Sequence, residues 1–135
     1  MSKKILVADD SSVMRSLVVS AIEELDGVET IEAENGAEAL KALPHHTFDL
    51  LIIDINMPVI NGLEFVNFIK HHEFYKRIPI IIISTDRGEE DVKRALVLGA
   101  NRYFIKPFEM SVLKDAISEF LKGSQWSVEP YINIH

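Results

Sequence analysis

Two runs of uninterrupted large apolar residues, Leu50-Leu51-Ile52-Ile53 and Ile80-Ile81-Ile82-Ile83, restrict the fold more than any other feature of the chain. A strand with one face in water alternates apolar and polar side chains. A strand that never alternates is buried on both faces, the situation of a parallel sheet covered by helices on each side. Polar turn residues follow each run: Asp54-Ile55-Asn56-Met57-Pro58 after the first and Ser84-Thr85-Asp86 after the second. Asp54 and Ser84 therefore stand at the carboxyl ends of their strands, the edge where open α/β sheets place their ligands.

The remaining chain supplies the other elements. Residues 5–8 read as a first strand, the more polar Val28–Ala33 as a second placed at a sheet edge, and residues 103–105 as a fifth. Between them, apolar residues three and four apart predict five helices. Met14, Leu17, Val18, Ala21, Ile22 and Leu25 stripe the first, which Asp26-Gly27 stops. Leu40 and Leu43 face inward on the second, Leu63, Val66 and Ile69 on the third, and Val92, Ala95 and Leu96 on the fourth. Leu113, Ala116, Ile117, Phe120 and Leu121 do so on the fifth. Alternating strands and helices with right-handed crossovers make a three-layer sandwich.

Bulk composition narrows the function. The 135 residues suit one domain, and the formal charge of −7 disfavours nucleic acid or an anionic membrane as direct partner while suiting a cation. The absence of cysteine excludes disulfides and thiolate metal sites. Neither a signal-peptide core nor an apolar run of membrane-spanning length is present, so the expected location is cytoplasmic.

Asp9-Asp10 close the first strand, Asp54 the third, Ser84 the fourth and Lys106 the fifth. Singly, each has an ordinary explanation. Asp9-Asp10, Ser11 or Ser12 can cap the first helix, Asp54 can shape a turn, Ser84 can cap the fourth helix, and Lys106 can snorkel from a strand end. In a parallel sheet all strand ends lie on one edge, so the five converge. Three carboxylates brought together resist ionisation unless positive charge sits among them. Lys106 supplies one charge, and a hard divalent cation held by oxygens supplies two more. Mg²⁺ fits a site with few protein ligands and room for phosphate oxygens.

At these residues the chain resembles the receiver domain of two-component response regulators, in particular the single-domain, CheY-like chemotaxis type. The resemblance runs from about residue 4 to residue 122. It rests on Val7-Ala8-Asp9-Asp10-Ser11-Ser12, Glu34-Asn35-Gly36, Asp54-Ile55-Asn56-Met57-Pro58 with Asn61-Gly62, Ser84-Thr85, Gly99-Ala100 and Lys106-Pro107-Phe108. It implies a flavodoxin-like (βα)5 fold over residues 1–122, with a five-stranded parallel sheet ordered 2-1-3-4-5; the chemotaxis regulator is itself a standard example of that order. It also implies that Asp54 takes a phosphoryl group from a histidine kinase in a Mg²⁺-dependent reaction. Asp9, Asp10, Asp54 and the backbone carbonyl of Asn56 would hold the metal, and Lys106, joined to Pro107 by a cis bond, would bind a phosphoryl oxygen. Ser84 and Tyr103 would carry the switch, Tyr103 turning inward as Ser84 moves.

The implied role is signalling by altered protein binding, to a flagellar motor switch or a phosphotransfer protein, with no enzymatic turnover beyond the chain's own phosphorylation and dephosphorylation. Two positions depart from the commonest family pattern, and two more fall where the family itself varies. Ser84 stands where threonine is more usual, Thr85 where alanine or glycine is, and Asn56 and Asp86 occupy positions that vary with phosphoryl lifetime.

The alternatives are weaker. A haloacid-dehalogenase-like Mg²⁺ phosphatase wants a second aspartate where Asn56 stands, and a flavin carrier wants a phosphate-binding loop where Asp9-Asp10 would repel the phosphate. A phosphorelay intermediate receiver remains open. His45-His46 and His71-His72 read as solvated residues near helix ends rather than as a metal site. Residues 123–135, with Trp126, form a tail of unassigned role.

Overall fold

The computed structural model describes residues 2–122 and, for their backbone, residues 131–133. The strands are β1 (Lys3–Ala8), β2 (Val28–Ala33), β3 (Leu50–Asp54), β4 (Ile80–Ser84), β5 (Arg102–Ile105) and β6 (Tyr131–Asn133). The helices between them are α1 (Ser12–Glu23), α2 (Gly36–Ala42), α3 (Gly62–Lys70), α4 (Glu89–Leu98) and α5 (Met110–Leu121), with a 3-10 turn at Leu43–His45.

All strand pairs are parallel, in the order β2-β1-β3-β4-β5-β6. The expected 2-1-3-4-5 order holds, with β2 at one edge, but the sheet has six strands rather than five. The short β6 pairs with β5, Tyr103 lying opposite Ile132. Trp126 lies outside the described residues.

The saturated runs do what their composition requires. Every residue of β3 and β4 is buried, and successive side chains enter two different cores. Leu51, Ile53, Ile80 and Ile82 pack with Phe65, Val66 and Ile69 of α3 and with Val92 and Ala95 of α4. Leu50, Ile52, Ile81 and Ile83 pack with Val18 and Ile22 of α1 and with Leu113 and Ile117 of α5. Full burial of such a side chain contributes about 1.5–3 kcal/mol, so the two runs alone account for a large part of the fold's driving force.

The helix stripes were legible with local exceptions. In α3 the fully buried aromatic is Phe65, whereas Leu63 is only half-buried. In α1, Leu17 is 48% exposed although it belongs to the apolar stripe. The helix starts follow capping chemistry. Ser11 Oγ accepts from Met14 N at 3.2 Å, which resolves the choice between Ser11 and Ser12. Asn35 caps α2, and Asn61 with Glu64 forms a reciprocal capping box on α3.

The loop from β3 to α3 is tightly wound. Gly62 N donates to Ile55 O at 2.8 Å, and a Cβ on Gly62 would stand 2.5 Å from the carbonyl oxygen of Asp54. Only glycine lets α3 begin so close to that residue. Val59, in the same loop, has φ +72° and is 79% exposed. A β-branched residue in the left-handed region is strained by about 1–3 kcal/mol, whereas asparagine tolerates it. Val59→Asn is expected to raise stability by about 1 kcal/mol, read as a rise of several degrees in the thermal midpoint by circular dichroism. Val59→Ile, which keeps the branch, should leave the midpoint unchanged.

Candidate phosphoryl-transfer site

The carboxyl edge of the sheet gathers the acidic residues. Asp9, Asp10 and Asp54 each offer a carboxylate oxygen, and these oxygens lie within 4.8 Å of one another. Asp9 is wholly buried and Asp54 is 3% exposed, while Asp10 faces solvent. The site therefore has a closed floor and one open acidic wall.

Asp9 is held from four directions. Its Oδ1 accepts from Ser11 N at 2.9 Å, and its Oδ2 from Lys106 Nζ at 3.1 Å. Its backbone N donates to Ala33 O, and its carbonyl accepts from Arg15. Asp54 is less constrained. Asn56 N donates to its Oδ1 at 3.4 Å, and Lys106 Nζ stands 3.8 Å from the same oxygen. Lys106 thus bridges two carboxylates, reaching them from a strand end where its bond to Pro107 is cis.

This environment marks Asp54 chemically. Burial, and then the nearby Asp9 charge, push its carboxyl up to about 6, against the opposing pull of Lys106. An acid so placed is short of positive charge. The donor set is all carboxylate oxygen with one face open, the chemistry of a hard divalent cation that keeps water ligands. Three carboxylates and one lysine leave two negative charges for such an ion to balance.

The strand-four and strand-five residues meet one another on the α4 side. Ser84 is fully buried at the end of β4, where its Oγ accepts from Asp86 N at 3.0 Å. Tyr103, also fully buried, donates its hydroxyl to Asp86 O at 2.8 Å, so Ser84 and Tyr103 both hold Asp86. Burial raises the Tyr103 phenol above its usual value. The sequence reading has Tyr103 turn inward on activation. In the structure the ring is already inward and tied to the β4–α4 loop.

His45 and His71 are exposed, as expected, while His46 and His72 are half-buried. His72 stacks on Tyr75 at 4.3 Å between ring centroids, His71 Nδ1 lies 2.8 Å from Asn67 O, and the His46 ring packs against Phe48. Among the described residues, no group able to hold a metal includes a histidine.

With this geometry in place, comparison with known proteins decides the family. Residues 5–118 match the response regulator receiver domain model. The chain belongs to the response regulator receiver family. It is 40% identical over 119 residues to the chemotaxis protein CheY homolog of Campylobacter jejuni, covering 87% of this chain and 92% of that one. It is equally similar to chemotaxis protein CheY1 of Helicobacter pylori, covering 87% of this chain and 96% of that one. A structure of the chemotaxis response regulator CheY4 of Vibrio cholerae superposes with a TM-score of 0.80 at 32% identity, covering 89% of this chain and 99% of that one.

This receiver is thus a phosphorylation-activated regulator of the two-component type, homologous to chemotaxis regulators, on the flavodoxin-like fold. No helix among its described residues is long and apolar enough to cross a membrane. Arg15 escaped the reading of the sequence as a site residue. Its contacts to Asp9 and to the end of β2 depend on how β1 and β2 pair, which no local pattern announces.

Proposed function

We infer that Asp54 is the phosphoacceptor of this receiver and that its phosphorylation requires Mg²⁺ held by Asp9, Asp10, Asp54 and the backbone carbonyl of Asn56. The observation that carries this reading is the cluster of three carboxylates, two of them paired with one lysine, with Asp54 short of positive charge. A bound divalent cation would supply the electrostatic stabilisation that a transferring phosphoryl group needs.

The protein's own residues divide the remaining work. Asp54, held still by its buried floor, attacks the phosphorus as a carboxylate; its oxygen–phosphorus bond forms as the donor's bond to phosphorus breaks, the P–N bond of a phosphohistidine releasing its imidazole or the P–O bond of acetyl phosphate releasing acetate. Lys106 keeps its ammonium between Asp9 and Asp54, where an incoming phosphoryl oxygen finds a donor. The Asp54 carboxylate gives way to an acyl phosphate carrying up to about two charges, by analogy with other phosphorylated side chains, and the site then lacks donors. Ser84 moves its hydroxyl toward that group, giving up its bond from Asp86 N. Tyr103, bonded to the same loop, transmits the change to the surface of α4, β5 and α5.

Histidine kinases are the phosphoryl source on this reading, and the output is a changed affinity for a protein target, a flagellar motor switch or a phosphotransfer protein. The chain works in the cytoplasm and catalyses only its own phosphorylation and dephosphorylation. Acetyl phosphate with Mg²⁺ is expected to add one phosphoryl group, and EDTA to prevent it, as read by intact mass. Wild type that stays unmodified under conditions labelling a control receiver would overturn the reading.

A further inference from the structure

Arg15 sits in the first turn of α1, and its side chain is only 12% exposed. Its NH1 donates to the carbonyl of Asp9 at 2.7 Å. Its own backbone N donates to Ser11 O at 2.9 Å. That backbone bond is the opening helical bond of α1, whereas the side chain itself holds the main chain immediately before Asp10, the one acidic residue of the cluster whose side chain faces solvent. The other guanidinium nitrogens are engaged as well. Nε pairs with Glu32 Oε1 at 3.2 Å, and NH2 lies 3.8 Å from Glu34 Oε1.

These contacts join the β1–α1 loop to the end of β2. In the parallel register Val7 lies opposite Glu32 and Ala8 opposite Ala33, so the two glutamates reach the guanidinium from the strand beside Asp9. Two carboxylates against one guanidinium leave this trio formally at −1, so Arg15 does not set a net positive charge against a cation. A surface arginine kept for charge alone would not need to be so enclosed, nor to aim a nitrogen at a main-chain oxygen. Its planar fork can satisfy a carbonyl and two carboxylates at once, which a lysine ammonium on a flexible stem cannot match.

We propose that Arg15 is a positioning residue for the divalent cation, fixing Asp9 and Asp10 where their carboxylates meet that of Asp54. The inference rests on the reading of the acidic cluster as a Mg²⁺ site. Groups behind metal ligands set ligand orientation, and their loss commonly weakens affinity about tenfold or more.

Charge and positioning predict opposite results. If Arg15 acts only through its charge, Arg15→Met should bind Mg²⁺ more tightly than wild type and Arg15→Lys equally well. If it positions the loop, both variants bind more weakly, by about tenfold, and the loss persists in about 0.5 M KCl, where exposed charges are screened. Isothermal calorimetry with Mg²⁺ alone reads this, and circular dichroism checks folding of the metal-free proteins. If Arg15→Met does not fold, Arg15→Lys decides, because it retains the charge and most of the stem. Wild type that binds no Mg²⁺ overturns the reading of the site, and this inference with it. Wild type that binds, with variants that bind as well or better, overturns the positioning role alone.

Discussion

Asp54→Asn is expected to abolish labelling by acetyl phosphate and, in EDTA at neutral pH, to make the protein more stable than wild type by about 2 kcal/mol. The two effects have one origin. An amide has no carboxylate oxygen to attack phosphorus, and it also removes a charge whose burial is costly. The Asp54 carboxyl is pushed from 3.8 to about 6, chiefly by burial and secondly by Asp9. Each tenfold change in proton affinity is worth about 1.4 kcal/mol, so ionising Asp54 costs the folded state on the order of 3 kcal/mol, less whatever the amide loses beside Lys106.

The sign follows from proton counting. Between pH about 4 and about 6 the folded state holds more protons at Asp54 than the unfolded chain does. This residue's contribution to stability therefore falls as pH rises through that window and levels off above it. Wild type in EDTA should show this decline beneath the other titrations, and Asp54→Asn should lack it. If Mg²⁺ binds Asp54 as proposed, it competes with the same proton, so its stabilisation of wild type should grow as pH rises through about 6 and be small in the variant. Chemical denaturation across pH, with EDTA or Mg²⁺, measures all of this. An Asp54→Asn protein that still accepts one phosphoryl group would remove Asp54 as acceptor. One no more stable than wild type would show that its charge is already compensated by Lys106.

The residues that could be read from sequence are those whose role is local. Leu50–Asp54 and Ile80–Ser84 announce buried strands because four apolar residues in succession leave no solvent face, and the polar residue after each run must then sit at the sheet's carboxyl edge. Asp9, Asp54 and Lys106 follow, since parallel strands all end on one side. Phe65 rather than Leu63 filling the core was not legible, because a heptad-like stripe tolerates a rotation of the helix that exchanges neighbours. Nor was β6, three residues without alternation whose pairing with β5 depends on main-chain hydrogen bonds. The Arg15 grip on Asp9 and Glu32 joins residues 17 apart along the chain, through a register that only the folded sheet defines. Tyr103 illustrates the same limit. Its place on β5 was evident, but which rotamer it occupies depends on the Asp86 carbonyl being within reach.

Lys106→Ala is expected to destabilise the metal-free protein by about 3 kcal/mol, and Mg²⁺ is expected to raise its thermal midpoint by more than it raises that of wild type. Lys106 Nζ is 3.1 Å from a wholly buried carboxylate oxygen of Asp9 and 3.8 Å from Asp54. Removing one partner of a buried pair strands the other charge, at a cost of about 3–5 kcal/mol, reduced here because Ser11 N still donates to Asp9. A divalent cation brings two charges to the same carboxylates and can replace part of what the lysine supplied, so its effect grows when the lysine is gone. With Asp54 as the proposed acceptor, Lys106, 3.8 Å from its carboxylate, is the ammonium placed to meet the new phosphoryl oxygens. The variant should therefore still gain a phosphoryl group from acetyl phosphate, yet its capture of protein partners should no longer differ with and without beryllofluoride. Equal Mg²⁺ increments in variant and wild type would mean that lysine and cation do not share the same carboxylates. A beryllofluoride response equal to that of wild type would remove Lys106 from the switch and leave Ser84 and Tyr103 to carry it.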